Sequence, residues 1–139
     1  MTQYESDVKA VPYSDRDIFR VLSDLQNLEK AEEFLPGDKI SDFSFDTDTV
    51  SFRVDPVGKV SFRVMEREPD KLVKFKSERL PFDIFLWIQL VPKADKDTRM
   101  KITVRADLNP FIKGMVDKPL REVVDKISEA LARLPYDRL

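Results

Sequence analysis

Apolar residues recur at two different spacings along this chain. Between Phe43 and Leu108 they mostly alternate with polar ones, the period of strands with one covered face. From Asn109 to Leu134 they recur every three or four residues: Ile112, Val116, Leu120, Val123, Ile127 and Leu131 form a helical stripe. That last stretch organises the rest, because a twisted sheet needs something to cover its apolar face.

The elements follow in order. Tyr4 to Tyr13 predicts a first strand carrying Val8 and Val11 and ending at Pro12. Ser14 stands at an N-cap position, with Asp15 and Asp17 in the first turn, so a helix runs on through Ile18, Val21, Leu22, Leu25 and Leu28. A second short helical piece over Ala31 to Leu35 stops at Pro36-Gly37. Six strands follow. Phe43 and Phe45 share a face, as do Val50, Phe52 and Val54, then Val60, Phe62 and Val64, then Val73 and Phe75. Asp55-Pro56-Val57-Gly58 and Glu68-Pro69-Asp70-Lys71 read as turns. The most apolar strand is Phe82 to Val91, and the last presents Met100, Ile102, Val104, Ala106 and Leu108 on one side. Short connections require antiparallel neighbours. The expectation is an α+β fold, a single domain over residues 1–139, with a helix of about 38 Å long enough to cross the sheet.

Composition narrows the chemistry. The chain has 139 residues, 42% hydrophobic and 36% charged, enough for a core without staples. Lys and Arg number 24 against 26 Asp and Glu, a net charge of -2, and that balance gives no reason to expect nucleic acid as a partner. There is no Cys and no His, which excludes thiolate nucleophiles, disulfides and His-based triads. No catalytic residue, metal ligand or cofactor is assigned. Neither a signal peptide nor a transmembrane segment is expected, and the default location is the cytoplasm.

At this point the order of elements resembles the START-like, or helix-grip, superfamily, which includes polyketide cyclase and lipid-transfer-like SRPBCC proteins. The resemblance rests on the opening strand running into Ser14–Leu28, the hairpin series from Phe43 to Leu108, and the helix starting near Asn109-Pro110. It covers essentially the whole chain. It implies a curved seven-stranded antiparallel sheet gripping the long C-terminal helix, with a cavity between them that often holds an apolar ligand.

Several residues carry alternative readings. The strand Phe82 to Val91 is apolar on both faces. Either Trp87 and Gln89 project into the cavity, or Phe85 and Trp87 form an outer patch for a homodimer or another protein, or both faces are simply core. Gly114 and Pro119 interrupt the C-terminal helix; the spacing favours a break there, with a second helix starting near Lys118, over a kink that widens the cavity beside Phe111 and Met115. Glu66 continues the Val60, Phe62, Val64 face and is the least ordinary of the acids, among which Asp83, Glu68, Asp42 and Asp46 are the others. Asp42, Asp46 and Asp48 lack the spacing of a calcium loop.

Three functions follow as expectations. The first is binding of a small hydrophobic, lipid- or polyketide-like ligand, with Phe52, Phe62, Phe75, Trp87, Gln89, Met100, Phe111 and Met115 as cavity residues. The second is a cyclase or dehydratase using cavity carboxylates, and the third a protein-interaction or dimerisation module.

Overall fold

The computed structural model describes residues 1–34, 40–54 and 58–139. Its eight strands are β1 (Thr2–Glu5), β2 (Lys9–Val11), β3 (Ile40–Phe45), β4 (Thr49–Val54), β5 (Gly58–Glu68), β6 (Leu72–Glu78), β7 (Ile84–Ala94) and β8 (Asp97–Ala106). Two α-helices, α1 (Asp15–Leu22) and α2 (Pro110–Ala132), are joined by 3-10 segments at Leu25–Phe34 and Tyr136–Arg138. All pairings are antiparallel, in the order β1-β8-β7-β6-β5-β4-β3, with β2 also on β8. The sheet is curved, with seven positions and the first filled by two pieces.

The expected single first strand is split, and the reason is parity. Tyr4 and Val11 both point inward and are buried, yet their offset in sequence is odd, which strict alternation cannot accommodate. Tyr4 pairs with Val104 and Val11 with Thr98, so the register slips by one residue between them. Ser6 bridges the slip. Its backbone N–H donates to the Ile102 carbonyl and its Oγ accepts from the Ile102 N–H, both at 2.9 Å.

The Ser14 cap forms as expected: its Oγ accepts from the Asp17 N–H at 3.1 Å. Leu25, Leu28 and Ala31 are buried as an extension of the helical face, but in 3-10 rather than α conformation. The expected stop at Leu35 to Gly37 and the turn at Asp55-Pro56-Val57 lie outside the described residues.

The C-terminal helix departs from expectation. It is one continuous element of 23 residues, about 34 Å long, with Pro119 inside it. Asn109 caps it, accepting from the Ile112 N–H at 2.9 Å, and Pro110 fills the first turn, where a missing N–H costs nothing. The inward stripe runs straight through the proline: Val116, Val123, Val124 and Leu131 are buried, with Leu120 and Ile127 packed beside them. Burying that unbroken stripe against the sheet outweighs the local cost of Pro119.

Candidate functional site

The concave side of the sheet, α2 and the 3-10 segment border two adjoining, partly open spaces. The first, about 40 Å³, lies under the middle of α2 between Val54, Val60, Ile84 and Val104 on the sheet and Leu120 and Val123 on the helix. The second, about 80 Å³, lies toward α1 and is bounded by Leu22, Leu25, Phe43, Phe45, Phe75 and Leu131. Phe52, Phe62, Leu86 and Ile127 line both and form the partition. Every side chain lining either space is apolar. Four rings make a connected wall: Phe43 stacks on Phe45 at 5.9 Å and tilts against Phe52 at 5.7 Å, and Phe52 stacks on Phe62 at 6.0 Å. These phenylalanines come from three consecutive strands, brought side by side by the pairing of β3, β4 and β5.

The expected cavity residues divide. Phe52, Phe62 and Phe75 are buried and line the spaces. Met100 faces inward, 1% exposed, but lines neither space. Trp87 and Gln89 are on the opposite side of the sheet. Alternation along β7 turns Ile84, Ile88 and Leu90 into the core and leaves Phe85, Trp87 and Gln89 facing out. Phe111 and Met115 are 78% and 59% exposed, because each sits one position, about 100°, off the stripe formed by Ile112 and Val116. The residues not anticipated as lining, Leu86, Leu120 and Ile127, were on inward-facing positions of the sequence pattern, the only signal available for them.

The carboxylates are elsewhere. β5 shifts register between Val64 and Glu66, so Met65 is squeezed out and Glu66 faces outward opposite Lys74. Asp46 closes a turn, accepting from the Asp48 and Thr49 N–H groups at 2.9 and 2.7 Å. Among the described residues no cluster of His, Cys, Asp and Glu is placed to hold a metal ion, and none of the acids lines the two spaces.

Polar contacts fix the helix over the site. Tyr4 Oη donates to Asp117 Oδ1 at 2.7 Å, Arg121 Nε donates to Asp117 Oδ2 at 3.2 Å, and the Arg121 guanidinium lies 5.4 Å from the Tyr4 ring centre. Burial, then the hydrogen bond to Asp117, pushes the Tyr4 phenol up to about 12. The Tyr4 hydroxyl holds the Asp117 carboxyl below its usual value, with Arg121 adding to the effect. At the far end Tyr136 is fully buried and donates to the Leu131 carbonyl at 2.6 Å, while Arg20 ties down the Tyr136 and Leu139 carbonyls. Burial pushes the Tyr136 phenol upward too.

A curved antiparallel sheet closed around a long C-terminal helix, with apolar space between them, defines the START-like, helix-grip fold. Solved structures with the same fold include a START superfamily protein from Mycobacterium smegmatis, at 15% identity and TM-score 0.69 over 94% of each chain. Norcoclaurine synthase from Thalictrum flavum, in complex with dopamine and hydroxybenzaldehyde, matches at 16% identity and TM-score 0.68, over 99% of this chain and 87% of that one. A protein from Thermobifida fusca matches at 17% identity and TM-score 0.66, over 100% of this chain and 95% of that one. No family model matches the chain, and no curated protein matches it in sequence. At these identities the likeness is one of fold.

Proposed function

We propose that this chain is a single-domain cytoplasmic binding protein that holds a small apolar molecule, lipid- or polyketide-like in its hydrocarbon part, between the sheet and α2. One observation supports the reading: adjoining, partly open spaces remain between the sheet and α2, lined only by apolar groups, with Phe52 and Phe62 shared between them. Interiors are normally packed to crystal density, and apolar cavities stay dry and accept apolar guests. The separation of the spaces by four movable side chains supports a guest larger than either, seated by rotamer changes of Leu86 and Ile127. The norcoclaurine synthase structure, with its dopamine and hydroxybenzaldehyde, gives an instance of the same fold accommodating small molecules. No helix among the described residues is long and apolar enough to cross a membrane.

The test is native mass spectrometry of gently purified protein, together with thermal melts in lauric acid, farnesol and naphthalene. Binding at one hundred times Kd adds about 2.7 kcal/mol to stability. Leu86→Trp and Ile127→Phe, which fill the partition, should abolish that gain while the unliganded proteins still melt cooperatively. An empty protein whose melting point none of the three probes moves would overturn the proposal.

A further inference from the structure

The convex face of the sheet has a chemistry opposite to the concave one. Its outward positions on β5 to β8 carry Lys59, Arg63, Lys74, Lys76, Arg99, Lys101 and Arg105, against Glu66, Glu68, Glu78 and Asp97 there and Glu5 on β1. The whole chain is at -2, so this side carries a modest excess of cations over the chain as a whole. Three of the five acids are already engaged, Glu5 with Lys101 at 3.3 Å, Glu78 with Arg63 at 3.2 Å and Asp97 with Arg99 at 2.8 Å.

Two rings lie at the centre. Phe85 and Trp87 alternate on β7 with centres 6.0 Å apart, and both are partly exposed. Lys74 Nζ stands 5.2 Å from each ring centre, Lys76 Nζ 5.7 Å from Phe85, and the Arg105 guanidinium 5.8 Å from Trp87. None of these three cations makes an ion pair among the described residues; Glu66 stands opposite Lys74 in register, yet the ammonium lies over the rings.

Trp87 also borders an open depression. A hollow of about 300 Å³ is lined by Trp87, Gln89, Thr103 and Arg105 with Gln3 and Glu5. It meets a second of about 370 Å³, whose lining includes Gln89, Leu72, Lys71, Arg99 and Lys101 together with Glu68, so a groove follows β7 and β8 with Gln89 at the join.

We infer that this groove is a docking surface for single-stranded nucleic acid. A second copy of the chain fits badly, since a two-fold contact through this face would press like charges together. An anionic bilayer is flat, whereas this face is convex and its polar groups are set along a groove. Unpaired cations beside exposed aromatic rings, interleaved with amide and hydroxyl groups, are what a strand with unstacked bases requires: phosphates meet the cations and bases meet the rings. A cation over a partly exposed ring is weakly held, so Lys74 and Lys76 are free to swing to phosphate and uncover Phe85 and Trp87. The balanced total charge concealed this. Only the strand register sorts the charges by face.

Trp87 is the chain's single tryptophan, so its fluorescence reports on this groove directly. The experiment titrates the protein with an oligouridylate of about 12 nucleotides at about 50 mM salt, reading Trp87 quenching and the anisotropy of a labelled strand. Binding with quenching, weakening as salt rises, is expected. The double substitution Lys74→Glu/Lys76→Glu should weaken it at least tenfold, and Trp87→Ser roughly tenfold, with melting curves confirming that both variants fold. No binding, binding unchanged in either variant, or equal binding of polyphosphate without quenching would overturn the inference. Binding to phosphatidylserine vesicles in place of the oligonucleotide would also overturn it.

Discussion

The Tyr4 hydroxyl and the Asp117 carboxylate, 113 positions apart in sequence, meet at 2.7 Å and join the first strand to the first half of the last helix. The bond closes one side of the apolar site, since Val116 and Leu120 hang from the same turns of α2. Tyr4→Phe should cost about 1 kcal/mol at neutral pH.

The pH dependence of that bond has a defined sign at each end. Asp117 titrates below its usual value in the folded chain, so its contribution is present above the ordinary carboxylate range and is lost as pH falls through the lowered value. Tyr4 is raised to about 12, so its contribution is present below the ordinary phenol value near 10 and is lost as pH rises through about 12. Melting curves of the Tyr4→Phe protein across pH should converge with those of the parent at both extremes. A constant gap between the two would contradict this account.

Pro119 lies inside a continuous helix, where it cannot donate to the Met115 carbonyl. Pro119→Ala restores that donor and should raise stability by about 1–3 kcal/mol, measured by urea denaturation. If the proline instead has a role in letting the first half of α2 move, the stabilised variant should load lauric acid more slowly in stopped-flow mixing.

Phe62 lines both spaces and stacks on Phe52. Phe62→Ala should cost about 3–5 kcal/mol, toward the lower end because empty volume already adjoins the ring. A loss under 1 kcal/mol in chemical denaturation would mean that the site collapses around the deletion.

Lys96, in the hairpin between β7 and β8, has φ of 56°, a left-handed conformation that costs any residue with a Cβ more than it costs glycine. Lys96→Gly should leave the fold intact and raise the melting point slightly, by about 0.5–1 kcal/mol of stability.

The alternating runs made most of this fold legible, and failures occur where one residue is inserted. Phe52, Phe62 and Phe75 were placed correctly because their strands alternate without interruption. For Glu66 the pattern leaves two readings, the inward face by strict alternation or a solvated or ion-paired strand end; the extra residue at Met65 turns it outward, and nothing in the side chains of Val64 to Glu66 announces a bulge. The first strand was drawn as one piece for the same reason: the slip at Ser6 shows only once β8 supplies the partner register. Trp87 was undecided because a strand with large apolar groups on both faces gives no polarity by which to orient it. The cations that settle its environment, Lys74 and Arg105, lie on neighbouring strands. Pro119 misled because helix propensity is local, while the stripe from Val116 to Leu131 is satisfied by contacts with the distant sheet.

The pairing of β1 and β2 with β8 also has a kinetic side. In sequence order these strands precede the rest of the sheet, yet the partner that holds them, Asp97–Ala106, is the last strand of that sheet to be made. During synthesis they wait, unpaired, for almost the whole length of the sheet. Such non-local closure slows folding. A nascent chain halted before residue 97 should therefore be open to protease at its N-terminus, and one extended past the end of α2 should become resistant there in a single late step.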